Sequence, residues 1–443
     1  MRFIELTGPP GRLAAVAVLI AATLAGSAGA QTAPRDTTIS FRAGMAAMQR
    51  GDHAEAERQF AGVAEQAPTH PIVLHQFARA QALAGHADAS LVTLGRALRA
   101  GAGYDADRDS AFRSVWSLPG FAAVRRTIEA RRRPVSTSRI EFRVAERDLI
   151  PEGIAYDPKR DRFLLGSLHK GRIVSVARKG RDPVRLPRRV ADLPMPVVVG
   201  IKVDAARRRI WVAAGTNGAT SPAETLGATG LFLLDADSGT ILQAWTIGGP
   251  SDRHFFNDIA IGRDGAAWVS DTQGGAVYRA VPGADELSVV AAPGTHPFAN
   301  GIALSETDGL LYVASGRGLL AVRLSDGAAT PLSPDDPLFG VDGLVRHGRD
   351  LIAIQNVGGL ARVVRLLLGP AGASVIRLDV LEANHPLFEA VPTTGTIVGS
   401  RYYYIANSQL NRLADDGSLP PGAAADEPRI MSAPLRPASA PVR

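Results

Sequence analysis

Four short phrases recur through the last two-thirds of this chain: Pro151-Glu152-Gly153-Ile154, Phe256-Asn257-Asp258-Ile259, Ala299-Asn300-Gly301-Ile302 and Val341-Asp342-Gly343-Leu344. Each stands just before a short apolar strand, and the order that follows recurs as well. Ile259-Ala260-Ile261 leads to strands at 267–270 and 276–279; Ile302-Ala303-Leu304 leads to 311–314 and 319–322. Six such units run from residue 139 to 415. Counted two residues before the first apolar strand residue, they begin at Glu152, Val199, Asn257, Asn300, Asp342 and near Thr394 or Gly395. Small all-β units at this period, rich in turns and without long helices, predict a six-bladed β-propeller. Radial repetition protects the strand edges that an open sheet of this length would expose. A seven-bladed ring is the chief alternative, but no seventh unit is found. Either Arg139–Val144 or the segment about Arg429-Ile430-Met431 is expected to close the ring, and sequence alone leaves that choice open.

In a four-stranded blade the first strand lines the channel. Its start shares a face with the hairpin between the second and third strands. If the repeats close, the side-chain oxygens of Glu152, Asn257, Asn300 and Asp342 converge on one point of that face. Two carboxylates and two amide carbonyls suit a hard divalent cation, Ca²⁺ or Mg²⁺, over zinc or copper. The competing reading is local, because Asn-Gly, Asn-Asp and Asp-Gly are common turn formers. Four matches at one phase favour the shared site. Loops on a rigid scaffold are where binding residues usually sit, and several of the longest connections fall on this face.

These motifs resemble those of the gluconolactonase and regucalcin-like six-bladed calcium propellers, over roughly residues 140–415. The resemblance implies that Glu152, Asn257, Asn300 and Asp342 hold a catalytic divalent ion, Ca²⁺ with Mg²⁺ or Mn²⁺ as alternatives. It also implies hydrolysis of lactones or phosphotriesters. A bound cation polarises a carbonyl or phosphoryl oxygen, and Asp342 is the candidate base or nucleophile. His254 and His296 are candidate bases, since each precedes a ligand position by three or four residues. His169 and His385 lie on the same face with a weaker claim. The second unit departs from the pattern, carrying Val199-Gly200. Substrate contacts do not transfer, because the chain ends its repeats differently, with Asn384-His385-Pro386 and Pro392-Thr393-Thr394-Gly395.

The remainder reads differently. Residues 1–30 have a basic start, an uncharged apolar run and an Ala28-Gly29-Ala30 box. That is a secretory signal, too short in its apolar run for a comfortable bilayer span. The expectation is an exported protein, periplasmic or secreted, with no stable membrane span after cleavage. Residues 39–132 carry helical spacing, with Gly51 and Gly85 lying 34 residues apart. That period predicts an α-helical module resembling tetratricopeptide repeats, either a docking surface for a protein partner or a cap. Residues 416–443 read as a low-complexity tail. Cysteine is absent, which excludes a thiol nucleophile and a thiolate zinc site. The net charge of +6 is scattered without an aromatic-lined basic groove, so no nucleic-acid partner is expected. There is no HExxH, no Gly-x-Ser-x-Gly and no dinucleotide fingerprint. Two function classes follow: a metal-dependent hydrolase of a small-molecule substrate such as a lactone, or a non-catalytic propeller binding a ligand or a protein.

Overall fold

The computed structural model describes residues 37–180, 182–333, 338–356, 361–388, 391–423 and 425–436. The proposed signal at 1–30 lies outside them. Among the described residues no helix is long and apolar enough to cross a membrane. The chain divides into two units, Met1–Arg131 and Arg132–Arg443.

The first unit is helical: Thr37–Arg50, His53–Gln66, Pro71–Leu83 and Ala87–Ala100, then Phe121–Arg132 after a single 3-10 turn. Local chemistry sets the boundaries. The Asp52 carboxylate accepts from the Glu55 N–H at 3.1 Å and caps the second helix. Pro71 occupies the first turn of the third. Gly51 and Gly85 both take a left-handed φ, 76° and 90°, where one helix must end and the next begin. Phe41 and Phe60 meet edge to face at 5.4 Å in the core.

The second unit is a six-bladed β-propeller. Blades one to five are four-stranded sheets. Their innermost strands are Pro151–Asp157, Val197–Asp204, Phe256–Ile261, Ile302–Ser305 and Val341–His347. Gly395–Val398 is the innermost strand of blade six. Each inner strand lies beside that of the next blade, and the sixth returns to the first. Second strands such as Ala267–Asp271 and Leu310–Ser315 are buried along their whole length. They pack on neighbouring blades from both faces, which is why they read as continuous apolar runs. Outer strands such as Ala329–Pro331 are exposed.

Closure uses both candidate segments. The sixth sheet runs Gly395–Val398, Arg401–Ile405, Arg429–Pro434, Arg139–Val144 and Val184–Arg185. The strand Arg429–Pro434 lies inside the stretch read as a tail, so the propeller extends past residue 415. The short, partly apolar 410–413 segment does not supply the third strand of this blade; it holds a 3-10 turn at Leu410–Arg412. Residues 406–423 form a long strap after the second strand.

A chain ending at Pro428 is expected to yield no stably folded propeller. It loses Ile430, Met431, Ala433 and Leu435, all at most 3% exposed. Burial contributes about 1.5–3 kcal/mol for each large aliphatic side chain, against a total stability of only about 5–15 kcal/mol. Cooperative melting at the full-length temperature would contradict this.

Candidate active site

The recurring phrases sit at irregularities in the ladder. Pro151 pairs with Ser167 and Ile154 with Leu165, so Glu152 and Gly153 stand outside the register. The same shift frees Val199-Gly200, Asn257-Asp258 and Asp342-Gly343. In blade four, the Asn300 N–H donates to the Ala314 carbonyl and the Gly301 carbonyl accepts from the Ala314 N–H, both at 2.9 Å. Such irregularities re-aim a side chain away from the alternating faces of a strand.

The second residue of each phrase is a packing requirement. A Cβ on Gly153 would collide with the Val199 carbonyl, one on Gly200 with that of Asn257, and one on Gly301 with that of Asp342. Gly343 meets the Thr393 carbonyl in the same way. Thr393 and Thr394 close the circle, both donating their hydroxyls to the Glu152 carbonyl. Blade three carries Asp258 where the others carry glycine. Its carboxylate accepts from the Ile302 N–H of blade four at 3.1 Å and pairs with Lys202 of blade two at 2.9 Å. The side chain bridges where the glycines allow direct approach. Gly301→Ala is expected to cost on the order of 3 kcal/mol, read as a lower urea midpoint. An unchanged midpoint would mean that the ring is not tight there.

The first residue of each phrase carries the chemistry. Burial pushes the Glu152 carboxyl well above its usual range, and the charges of Asp342 and Asp258 push it further, partly offset by the Thr393 and Ser408 hydroxyls. Burial likewise pushes Asp342 up to about 7, against the hydrogen bonds of Asn356 and Asn300, with Asp258 raising it further. Asn356 Nδ2 donates to Asp342 Oδ2 at 2.5 Å and to the Pro392 carbonyl at 2.9 Å. Glu152 Oε2 and Asn300 Oδ1 are buried with no partner among the described residues. Asn257 Nδ2 donates to Thr272 Oγ1 at 3.1 Å. That anchors the nitrogen of the amide and leaves its oxygen as the uncommitted atom.

Glu152, Asn300 and Asp342 are thus gathered at one place. Asn257 stands one residue before Asp258, whose charge reaches both carboxylates. Buried acceptors without donors are costly, and two buried carboxylates of like charge are more so. An all-oxygen set of this kind fits a hard divalent cation. Lys202 balances Asp258, so the two remaining negative charges match the charge of such an ion.

The histidines separate. Burial pulls His254 down, but Asp271 and Asp252 outweigh it and hold the ring above its ordinary value. Nδ1 faces Asp271 and Nε2 lies 3.3 Å from Asp252, so both nitrogens are engaged. Asp271 also accepts from the Phe255 and Gly274 N–H groups, which makes His254 part of a hairpin brace. His296 is 1% exposed, and neither ring nitrogen has a hydrogen-bond partner among the described residues. Burial, aided by Arg317, lowers it to about 4, so it is neutral at pH 7. His169 Nε2 donates to the Asp148 carbonyl at 2.6 Å, and His385 Nδ1 accepts from the Leu387 N–H at 3.0 Å.

Sequence reasoning assigned no role to Lys202, Asp258 or Asn356. Asp258 was visible inside its motif as the one departure from glycine. Asn356 lay in a pocket-face hairpin without a distinguishing signal.

No protein-family model and no curated protein matches this chain. Among solved structures it is similar to a gluconolactonase of Xanthomonas campestris, with 18% identity over 68% of this chain and 96% of that one, TM-score 0.44. The PQQ-bound aldose sugar dehydrogenase of Streptomyces coelicolor shares 14% identity over 68% of this chain and 99% of that one, TM-score 0.45. Virginiamycin B lyase of Staphylococcus aureus shares 14% over 68% and 100%, TM-score 0.43. The fold is established by the sheet order itself.

Proposed function

We propose that the protein is an exported, divalent-metal-dependent hydrolase of lactones or related esters. The supporting observation is the pair of buried carboxylates, Glu152 and Asp342, together with the unpartnered oxygens Glu152 Oε2 and Asn300 Oδ1 at the channel. A purely structural ring has no need of two such charges side by side. Glu152, Asn257, Asn300 and Asp342 would hold the ion, with Ca²⁺ the first expectation and Mg²⁺ or Mn²⁺ the alternatives. When bound, the ion supplies electrostatic stabilisation of the negative charge developing on the substrate's carbonyl oxygen.

The chain's own groups supply the rest. The attacking water adds its oxygen to the carbonyl carbon, and Asp342 accepts the proton it releases. The ring C–O bond then breaks, and the departing oxygen takes up a proton to leave a hydroxy acid. Asn356 fixes Asp342 by donating to Oδ2, so the remaining oxygen is the one directed to the reaction. His296, neutral and without a hydrogen-bond partner among the described residues, is the second candidate for proton transfer. Both nitrogens of His254 are committed to its brace, which assigns it a positioning role.

The helical unit, with its tetratricopeptide-like spacing, would serve as a docking surface in this reading. The test is turnover of a lactone panel by the full chain with Ca²⁺, compared with Asp342→Asn.

A further inference from the structure

The strap at 406–423 builds a second site that the proposed chemistry does not use. Its root carries Ser408, whose hydroxyl is buried without a hydrogen-bond partner among the described residues. Its tip crosses to blade two, where the Ala219 N–H donates to the Asp416 carbonyl at 2.9 Å. A Cβ on Gly417 would press on Asn217, so the two loops are in close contact. Between them and the hairpin that joins the second and third strands of blade one lies an open cavity of about 270 Å³, bounded by Asp148, His169, Asn217, Thr220, Ser418 and Leu419.

The lining defines a ligand. Asn217 Oδ1 accepts from both the N–H and the hydroxyl of Thr220 at 3.0 Å. That fixes the amide, and leaves Asn217 Nδ2 a buried donor without a partner among the described residues. The Ser418 hydroxyl donates to Asp416 at 2.7 Å, so its oxygen, like that of Thr220, is left to accept. His169 spends Nε2 on the Asp148 carbonyl, which leaves Nδ1 as an acceptor. The Asp148 carboxylate is paired with Lys170 at 2.5 Å, so the wall carries no unbalanced charge. Acceptors of this kind match groups that donate hydrogen bonds, while Asn217 Nδ2 itself has no accessible surface. The volume lies just below that of pockets for drug-sized ligands.

We infer that this cavity binds a small neutral molecule rich in hydroxyl groups, at a site separate from the carboxylate ring. Acyl chains find only Leu419 and Ala219 as apolar partners there, and anions meet acceptors.

Ligand-observed NMR on the full chain tests this with myo-inositol as probe and 1-hexanol as the apolar control. Saturation transfer to inositol is expected to exceed that to hexanol. It should fall at least fivefold in the Asn217→Leu/Ser418→Leu double variant. Thr220→Val, which keeps the shape, should weaken it severalfold while leaving the melting temperature unchanged. Asp342→Asn should leave it intact, whether or not the protein proves to be a hydrolase. Inositol transfer unchanged in both cavity variants, transfer below that of hexanol, or loss in Asp342→Asn would each overturn the inference.

Discussion

Asp342→Asn is expected to reverse its effect on stability when Ca²⁺ replaces chelator. In chelator, burial makes both Glu152 and Asp342 costly to ionise, and the charge of Asp342 repels that of Glu152. Removing one charge, while keeping an oxygen to accept from Asn356, relieves that repulsion and should raise the melting temperature above that of the wild type. With excess Ca²⁺ the order inverts. A ligand that binds only the native state stabilises it by about 2.7 kcal/mol at a hundredfold excess over Kd. For a unit that spans Arg132–Arg443 that is roughly 4 °C. The variant loses one of two charged ligands and most of that gain. Differential scanning calorimetry of both proteins, with Ca²⁺ and with chelator, reads the crossing directly. Parallel shifts, or no response of the wild type to either condition, would remove the cation site.

The same substitution should abolish turnover. Purified protein with Ca²⁺ is expected to open a small aliphatic or sugar lactone, and Asp342→Asn should reduce kcat at least a hundredfold, the lower range for a lost general base. The substitution preserves shape and the Asn356 contact, so a loss reports charge or proton acceptance rather than collapse. His254→Ala is expected to reduce activity less than His296→Ala, because both nitrogens of His254 are already engaged. The panel should include esters and phosphotriesters, with Mg²⁺ and Mn²⁺ as well as Ca²⁺. If every rate equals that of Glu152→Ala, the hydrolase reading fails, and a binding propeller becomes the better account.

Much of the ring was legible because it repeats. Glu152, Asn257, Asn300 and Asp342 share one phase, and a pattern shared by several units carries more information than any one turn. The glycines after them were legible only as turn formers; their packing against the next blade's carbonyls appears once the blades are side by side. The histidines show the limit most plainly. His254 and His296 stand at nearly the same offset from a motif asparagine. One lies between two carboxylates and the other has no hydrogen-bond partner among the described residues, a difference set by Asp271 and Asp252 on one side and by burial on the other.

Sequence by itself determined the blade count, the helical start and the phase of the channel residues. These depend on local periodicity, which each segment displays whatever its neighbours do. Tertiary structure decided the closure and the strap. The 410–413 segment and Arg429–Pro434 are both short and partly apolar, so nothing local ranks them as the third strand. The second takes the place because Ile430, Met431 and Ala433 bury completely when paired between Arg401–Ile405 and Arg139–Val144. Those partners lie at opposite ends of the propeller segment, and only a closed ring brings them together.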